Sequence, residues 1–304
     1  MSIIGITGGT GFVGKHLSNL LISQGHELII FTRNPSSKKD QRQISYANWN
    51  LEERKCDVAA LQQLDVMVHL AGEGIADKRW TTERKQQIVD SRVKGTQFLS
   101  QQLIEHAPHC HTFIAASATG FYGPDNGGKS FTEDALPYSD FLGDTCAQWE
   151  AATMKNAGKI RTVILRFGIV LGKECGAFPA FAKPMYMGVM PILGSGKQIV
   201  SWIHVDDLAA MIYNTITHTS IVGIYNAVAP YPVSHKQLMH TIAHIMGGWK
   251  LPISVPAILL KIVIGEMSIE VLKSCTVSAQ KMLDTGFTFQ YDKIDKAVTA
   301  ILAQ

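Results

Sequence analysis

The stretch Thr7–Gly14, TGGTGFVG, follows a short apolar run (Ile3–Thr7) and opens a segment where Val13, Leu17, Leu20 and Leu21 recur at helical spacing. A strand that turns through glycines directly into a helix leaves few architectures open. Gly8, Gly11 and Gly14 let the chain turn tightly, let a pyrophosphate approach the backbone, and let helix and strand pack closely. The helix start at Thr10, Phe12 and Val13 adds unpaired N–H groups and the positive end of a helix dipole. An ordinary glycine-rich surface loop would not carry this flanking pattern.

The alternation continues along the chain. ELIIFT (Glu27–Thr32) reads as a second strand after Gly25, ISYANW as a weaker third, and LDVMVHLAG (Leu64–Gly72) as a strong fourth. A long helix is predicted from about Thr82 to His106, then a fifth strand HTFIAAS, a helix near Phe141–Asn156, and a sixth strand RTVILRFGIVL. Strands alternating with helices predict an α/β chain of βαβ units with a parallel sheet covered on both faces. After about Cys175 prolines and glycines cluster without a clean linker. The expected division is a nucleotide-binding unit over 1–175 and a smaller C-terminal substrate region over 176–304, packed on the sheet.

Composition narrows the function. The 304 residues are 46% hydrophobic and 17% charged, with a net charge of +3. That excludes disorder and coiled coil, and it is too weakly basic to argue for nucleic acid. Five widely spaced cysteines with no CxxC suggest neither a disulfide framework nor a zinc site. The dense cluster His106, His109, Cys110 and His111 lacks a second ligand group at recognised spacing, so no metal is expected. The start of the chain has no basic segment before its glycines, and VPAILLKIVIGEM is interrupted by Lys261 and too short to cross a bilayer. A cytoplasmic protein without membrane partners is the expectation.

In NAD-binding sheets an acidic residue about 20 positions past the glycines holds the ribose 2′-hydroxyl. Here the position nineteen residues beyond Gly14 is Arg33, with Lys38 and Lys39 close behind. A guanidinium forks onto a 2′-phosphate where a carboxylate would repel it. NADP(H) is therefore the expected cofactor.

With TGGTGFVG, HLAG (His69–Gly72), AASATGFYG (Ala115–Gly123), LRFGIVLG (Leu165–Gly172), WIHVDDLA (Trp202–Ala209) and YNAVAP (Tyr225–Pro230) in this order, the chain resembles the extended short-chain dehydrogenase/reductase superfamily. LAGEGIADKRWT, SATGFYG, WEAA at Trp149 and GFTFQY narrow the resemblance to its atypical "epimerase family" NADP-binding subgroup, sometimes labelled cell-division inhibitors. The resemblance implies a Rossmann-type, doubly wound parallel sheet with Leu70, Ala71, Gly72 and Glu73 passing beside the cofactor. It also implies that Ala115, Ala116 and Ser117 lie under the nicotinamide ribose, and that Arg166, Phe167 and Gly168 follow beside the nicotinamide. A homodimer is a further implication.

The superfamily moves its proton with a Tyr and a Lys four residues later, the lysine lowering the tyrosine pKa from about 10. Aligning on Glu150 of WEAA puts Cys146 at the lysine and Leu142 at the tyrosine, so this pair is missing. Ser117 and Tyr122 remain as candidate catalytic residues; a strand-end hydroxyl and a framework tyrosine are their plainer roles. Glu73, Lys78, Arg79 and Trp80 are candidates for the cleft lip, and Met185, Tyr186, Met187 and Met190 for pocket or core. Two functions follow. One is an NADP(H)-dependent oxidoreductase or epimerase of a small carbonyl or hydroxyl compound, sugar-derived ones included. The other is a non-catalytic NADP(H)-binding sensor or scaffold.

Overall fold

The computed structural model describes residues 1–303. Its first strand, β1 (Ile3–Thr7), runs into α1 (Phe12–Ser23), and β2 (Glu27–Thr32) returns beside it. Next come β3 (Ile44–Asn50), the two-residue β4 (Lys55–Cys56), α2 (Val58–Leu61), β5 (Val66–His69), α3 (Thr82–His106), β6 (Thr112–Ala118), α4 (Phe141–Met154) and β7 (Arg161–Phe167). Gly168 breaks the long sixth apolar run, so Ile169–Leu171 forms a separate strand, β8. A Cβ at Gly168 would stand 2.7 Å from the Ser201 carbonyl oxygen, so the crossing into β8 needs a glycine there.

The remaining elements are α5 (Phe178–Tyr186), β9 (Val189–Leu193), β10 (Ile199–Val200), β11 (Trp202–His204), α6 (Val205–Thr217), β12 (Gly223–Ala227), β13 (Val233–Ser234), α7 (His235–Met246), β14 (Leu251–Val255), α8 (Ala257–Ile264), α9 (Ser268–Leu272), α10 (Gln280–Leu283) and α11 (Ile294–Ala303). The main sheet has eight strands in the order β12-β7-β6-β5-β1-β2-β3-β4. Every neighbouring pair is parallel except β3 with β4. The order reverses between β1 and β5, which is the doubly wound arrangement.

Burial on both faces makes the strands read as unbroken apolar runs, as in Val66–Val68. On one face α1 and α6 cover Ile4, Ile6 and Ile30 with Leu17, Leu21, Leu208 and Ile212. On the other, α2 and α3 cover Phe31, Met67 and Phe113 with Leu61, Phe98, Leu99 and Leu103. A third core joins α5, α7 and α11 through Phe178, Met185, Met190, Trp202, Leu238 and Ile301. Met185 and Met190 are thus core, while Tyr186 and Met187 are exposed.

The division expected at residue 175 does not follow the sheet. The edge strand β12 and its covering helix α6 both come from beyond it. The two parts are also stapled together: Asp207 of α6, buried, accepts from the backbone N–H groups of Gln290 and Tyr291 at 2.8 and 2.9 Å. No described helix is long and apolar enough to cross a membrane.

Three buried histidines set an acid limit on this fold. Burial pushes His69, His204 and His235 down to about 4 from an ordinary 6.5. All three are neutral when folded, yet bind protons near 6.5 when unfolded. Stability is therefore complete above pH 6.5 and declines as the pH falls toward 4. Urea midpoints measured across that window should fall with acid, and a flat profile would refute the assignment.

Candidate functional site

The carboxyl ends of β1 and β5 part where the winding reverses, and a cleft of about 910 Å³ opens there. Gly8 turns the chain with φ +71°, and a Cβ on it would meet the Leu70 carbonyl carbon at 2.8 Å and the Ala71 nitrogen at 2.9 Å. At Gly14 a Cβ would stand 2.3 Å from the Gly8 carbonyl oxygen. These contacts are with backbone, so they cannot relax by side-chain rotation. Gly11 is the N-cap of α1 and brings no capping side chain, which leaves the first N–H groups of the helix available at the cleft. Thr7 Oγ1 accepts from the Ala71 N–H at 3.3 Å and shares a proton with His69 Nδ1 at 2.6 Å, locking the ends of β1 and β5 together.

Of the expected cofactor residues, Gly8, Gly11, Phe12, Val13, Gly14, Leu70, Gly72, Ala116, Ser117, Phe167 and Gly168 all line this cleft. Thr10 is exposed in the glycine loop, and Arg33 is exposed one residue past the end of β2, with Lys38 and Lys39 also exposed nearby. Ala71 adjoins the turn at Gly8, while Ala115 is buried in the core on the α3 face. Glu73 turns to Arg84 at 3.0 Å.

Two expectations change. Arg166 does not stand beside the cleft. Its Nε and Nη2 each donate to Glu150 at 2.8 Å, Nη1 donates to the Tyr122 hydroxyl at 2.7 Å, and its guanidinium stacks 3.6 Å from the Phe121 ring centroid. Burial alone would lower the Arg166 pKa, but the bonds and charge of Glu150 outweigh it and raise it. Tyr122, expected as an acid, is fully buried and donates to Asn226 Oδ1 at 2.6 Å. Burial pushes its hydroxyl up to about 12. With both hydrogen-bonding roles filled inside the protein, this hydroxyl has no route to a ligand in the cleft.

Ser117 is the cleft end of that buried network. It lines the cleft and is buried, and its Oγ donates to Glu150 Oε1 at 2.6 Å, which leaves the hydroxyl only its lone pairs for other partners. Cys146 is next to it. Burial, reinforced by the charge of Glu150, pushes the thiol up to about 12, and a thiol held protonated is a poor nucleophile. His204, in the WIHVDD motif, is the N-cap of α6: its Nδ1 accepts from the Asp206 N–H at 3.2 Å.

Trp80 lines the cleft as the lip reading implies, its Nε1 donating to Ile75, whereas Lys78 and Arg79 are exposed. The sequence reading missed Arg92, Trp149, His235 and the roof. Arg92 of α3 lines the cleft with its guanidinium 5.2 Å from the Trp149 ring centroid. His235 starts α7 against the edge of Phe181, with both ring nitrogens unpartnered. Leu260 and Ile264 of α8 and Val271 of α9 close the top. The signal for the roof was the apolar run VPAILLKIVIGEM, too short for a membrane; in the structure Leu260 is buried, whereas Ile258, Leu259, Ile262 and Val263 are exposed.

With this geometry in view, the comparisons with known proteins converge. The model of the NAD dependent epimerase/dehydratase family matches residues 4–227, which is the span of the main sheet. The chain belongs to that family. A second model, described as a domain of unknown function (DUF1731), matches 255–301, the stretch that carries the roof of this epimerase-family chain. The epimerase family protein YfhF of Bacillus subtilis is 38% identical over 304 residues, covering 99% of this chain and 98% of that one. A crystal structure of human epimerase family protein SDR39U1 (isoform 2) with NADPH has a TM-score of 0.86 at 26% identity, covering 99% of both chains. The nucleoside-diphosphate sugar epimerase of Corynebacterium glutamicum is 31% identical with a TM-score of 0.78, over 99% of this chain and 58% of that one.

The buried network predicts a contrast between two variants. Removing one member of a buried ion pair costs about 3–5 kcal/mol, so Glu150→Ala should unfold at much lower urea. Tyr122→Phe should cost about 1–3 kcal/mol and leave ligand binding in the cleft unchanged. Lost binding at full stability would return the hydroxyl to the site.

Proposed function

We propose that the chain is an NADP(H)-dependent oxidoreductase or epimerase acting on a small carbonyl or hydroxyl compound. The observation that carries this is the glycine cradle, where a Cβ at Gly14 would fall 2.3 Å from the Gly8 carbonyl oxygen beside a helix start with no capping side chain. That space and those donors suit a pyrophosphate. The N–H groups of Phe12, Val13 and Gly14 would hold it. Arg33, Lys38 and Lys39 would take a 2′-phosphate, a reading that the NADPH in the human relative's structure supports. Ala116, Ser117, Phe167 and Gly168 would flank the nicotinamide end.

A bound nicotinamide supplies hydride exchange with a carbon of the substrate. The protein's part is positioning and the proton. Ser117 presents lone pairs to a substrate hydroxyl, its own proton being held by Glu150. The Cys146 thiol, pushed up to about 12, keeps its proton at neutral pH, which leaves cleft water as the proton carrier. A non-catalytic NADP(H)-binding sensor is the second reading, favoured by one observation: Leu142 and Cys146, at the positions of the superfamily's Tyr and Lys, both line this cleft.

NADPH fluorescence enhancement tests the cofactor. NADPH should bind more tightly than NADH, and Arg33→Ala should erase the preference by about tenfold or more, the worth of a charge-assisted hydrogen bond. Equal affinities that Arg33→Ala leaves untouched would sink the assignment. Turnover unaffected by Ser117→Ala would remove the role given to that hydroxyl.

A further inference from the structure

With a dinucleotide along the glycine cradle, as proposed above, the rest of the cleft is walled by Ile75, Trp80, Leu142, Leu260, Ile264 and Met267. The charged residues among all those lining the cleft are Asp77, Arg92, Glu270 and Lys273. Three of them face charged neighbours. Lys273 Nζ lies 2.7 Å from Glu270 and 3.8 Å from Asp140, and Asp77 lies 3.9 Å from Arg84. Arg92 differs. Among the described residues it forms no ion pair; Nη1 donates only to the Ile88 carbonyl of its own helix at 3.2 Å, and the plane borders Trp149. The two buried arginines near the cleft both have anions, Arg84 on Glu73 and Arg166 on Glu150.

A half-buried guanidinium on the cleft wall, with N–H donors that no anion takes up, is completed by a ligand oxygen. Nothing else in the chain arrives to do so. We infer that the substrate is an oxo acid with an aliphatic body, its carboxylate held by Arg92, and that nucleoside diphosphate sugars are not accepted. A diphosphate brings two negative charges, and these walls offer one unpaired cation and aliphatic surface. Beyond Arg92, no second unpaired cation lines the cleft to meet the other phosphate charge. An aliphatic body, by contrast, gains about 25 cal/mol for each Å² it buries against the roof. The inference rests on the cofactor reading only for which end of the cleft is left to the substrate.

Trp80 and Trp149 line the cleft, so tryptophan quenching in NADP⁺-saturated protein reads substrate binding without turnover. The probes are α-oxodecanoate, which joins an oxo acid to an aliphatic chain, and UDP-glucose. Saturable quenching by α-oxodecanoate with none by UDP-glucose is expected. Arg92→Gln should weaken α-oxodecanoate by about tenfold or more, the worth of a hydrogen bond to a charged group. Ile264→Asp, placed in the roof and away from the buried sheet, should weaken it comparably by charging the apolar wall. Saturation by UDP-glucose, no saturation by α-oxodecanoate, or unaltered affinity in Arg92→Gln each overturns the inference. Failure to bind NADPH would instead overturn the cofactor reading, and the nucleotide titration separates the two.

Discussion

Glu150 is the carboxylate on which the floor of the cleft depends. It comes from α4, and it takes Ser117 from β6 together with both forks of Arg166 from β7, residues that the parallel register sets directly opposite each other. From Arg166 the chain of bonds runs through Tyr122 to Asn226 on β12, so one buried anion ties three strands and a helix together. Such a network is stable only when every member is satisfied, because a lone charge inside the protein has no water to fall back on. The consequence at the cleft is a serine whose proton is committed to that buried carboxylate.

That arrangement explains how the chain can lack the superfamily's Tyr and Lys without leaving a hole. Leu142 and Cys146 fill their places with neutral side chains. The positive charge on this side of the cleft comes instead from Arg92, reached from a different helix. Polarity is therefore unevenly spread: the glycine cradle keeps its backbone donors, and the opposite walls are apolar apart from Arg92 and the paired charges of Asp77, Glu270 and Lys273.

The parts of this molecule legible in the sequence are those set by short-range periodicity. Alternating apolar runs and helical spacings gave the parallel sheet, and the glycines of TGGTGFVG announced the cradle because tight backbone approach tolerates nothing larger. The placement of Arg166 beside the nicotinamide failed for a long-range reason. Its direction is decided by Glu150 on a neighbouring helix, and position at the end of a strand does not reveal that. Tyr122 is the same case, since its acceptor Asn226 lies 104 residues away. Arg92 sits in a helix whose polar composition resembles any solvated surface helix, and only the close passage of Gly72 brings it to the cleft. The cut at Cys175 followed a change in texture, whereas the sheet borrows β12 from beyond it.

The borrowed strand bears on how the chain is made. As the polypeptide leaves the ribosome, β7 emerges as an unpaired edge with an apolar centre, Val163–Leu165, that is buried in the finished protein. Its partner β12 and the covering helix α6 follow only after the whole of α5 and the small strands have been synthesised. Through that interval the nascent sheet carries the kind of open edge that recruits other chains. Rapid docking of residues 205–227, or a chaperone occupying that edge until they arrive, is therefore a requirement for high-yield production of this protein, and fragments ending near residue 175 should aggregate.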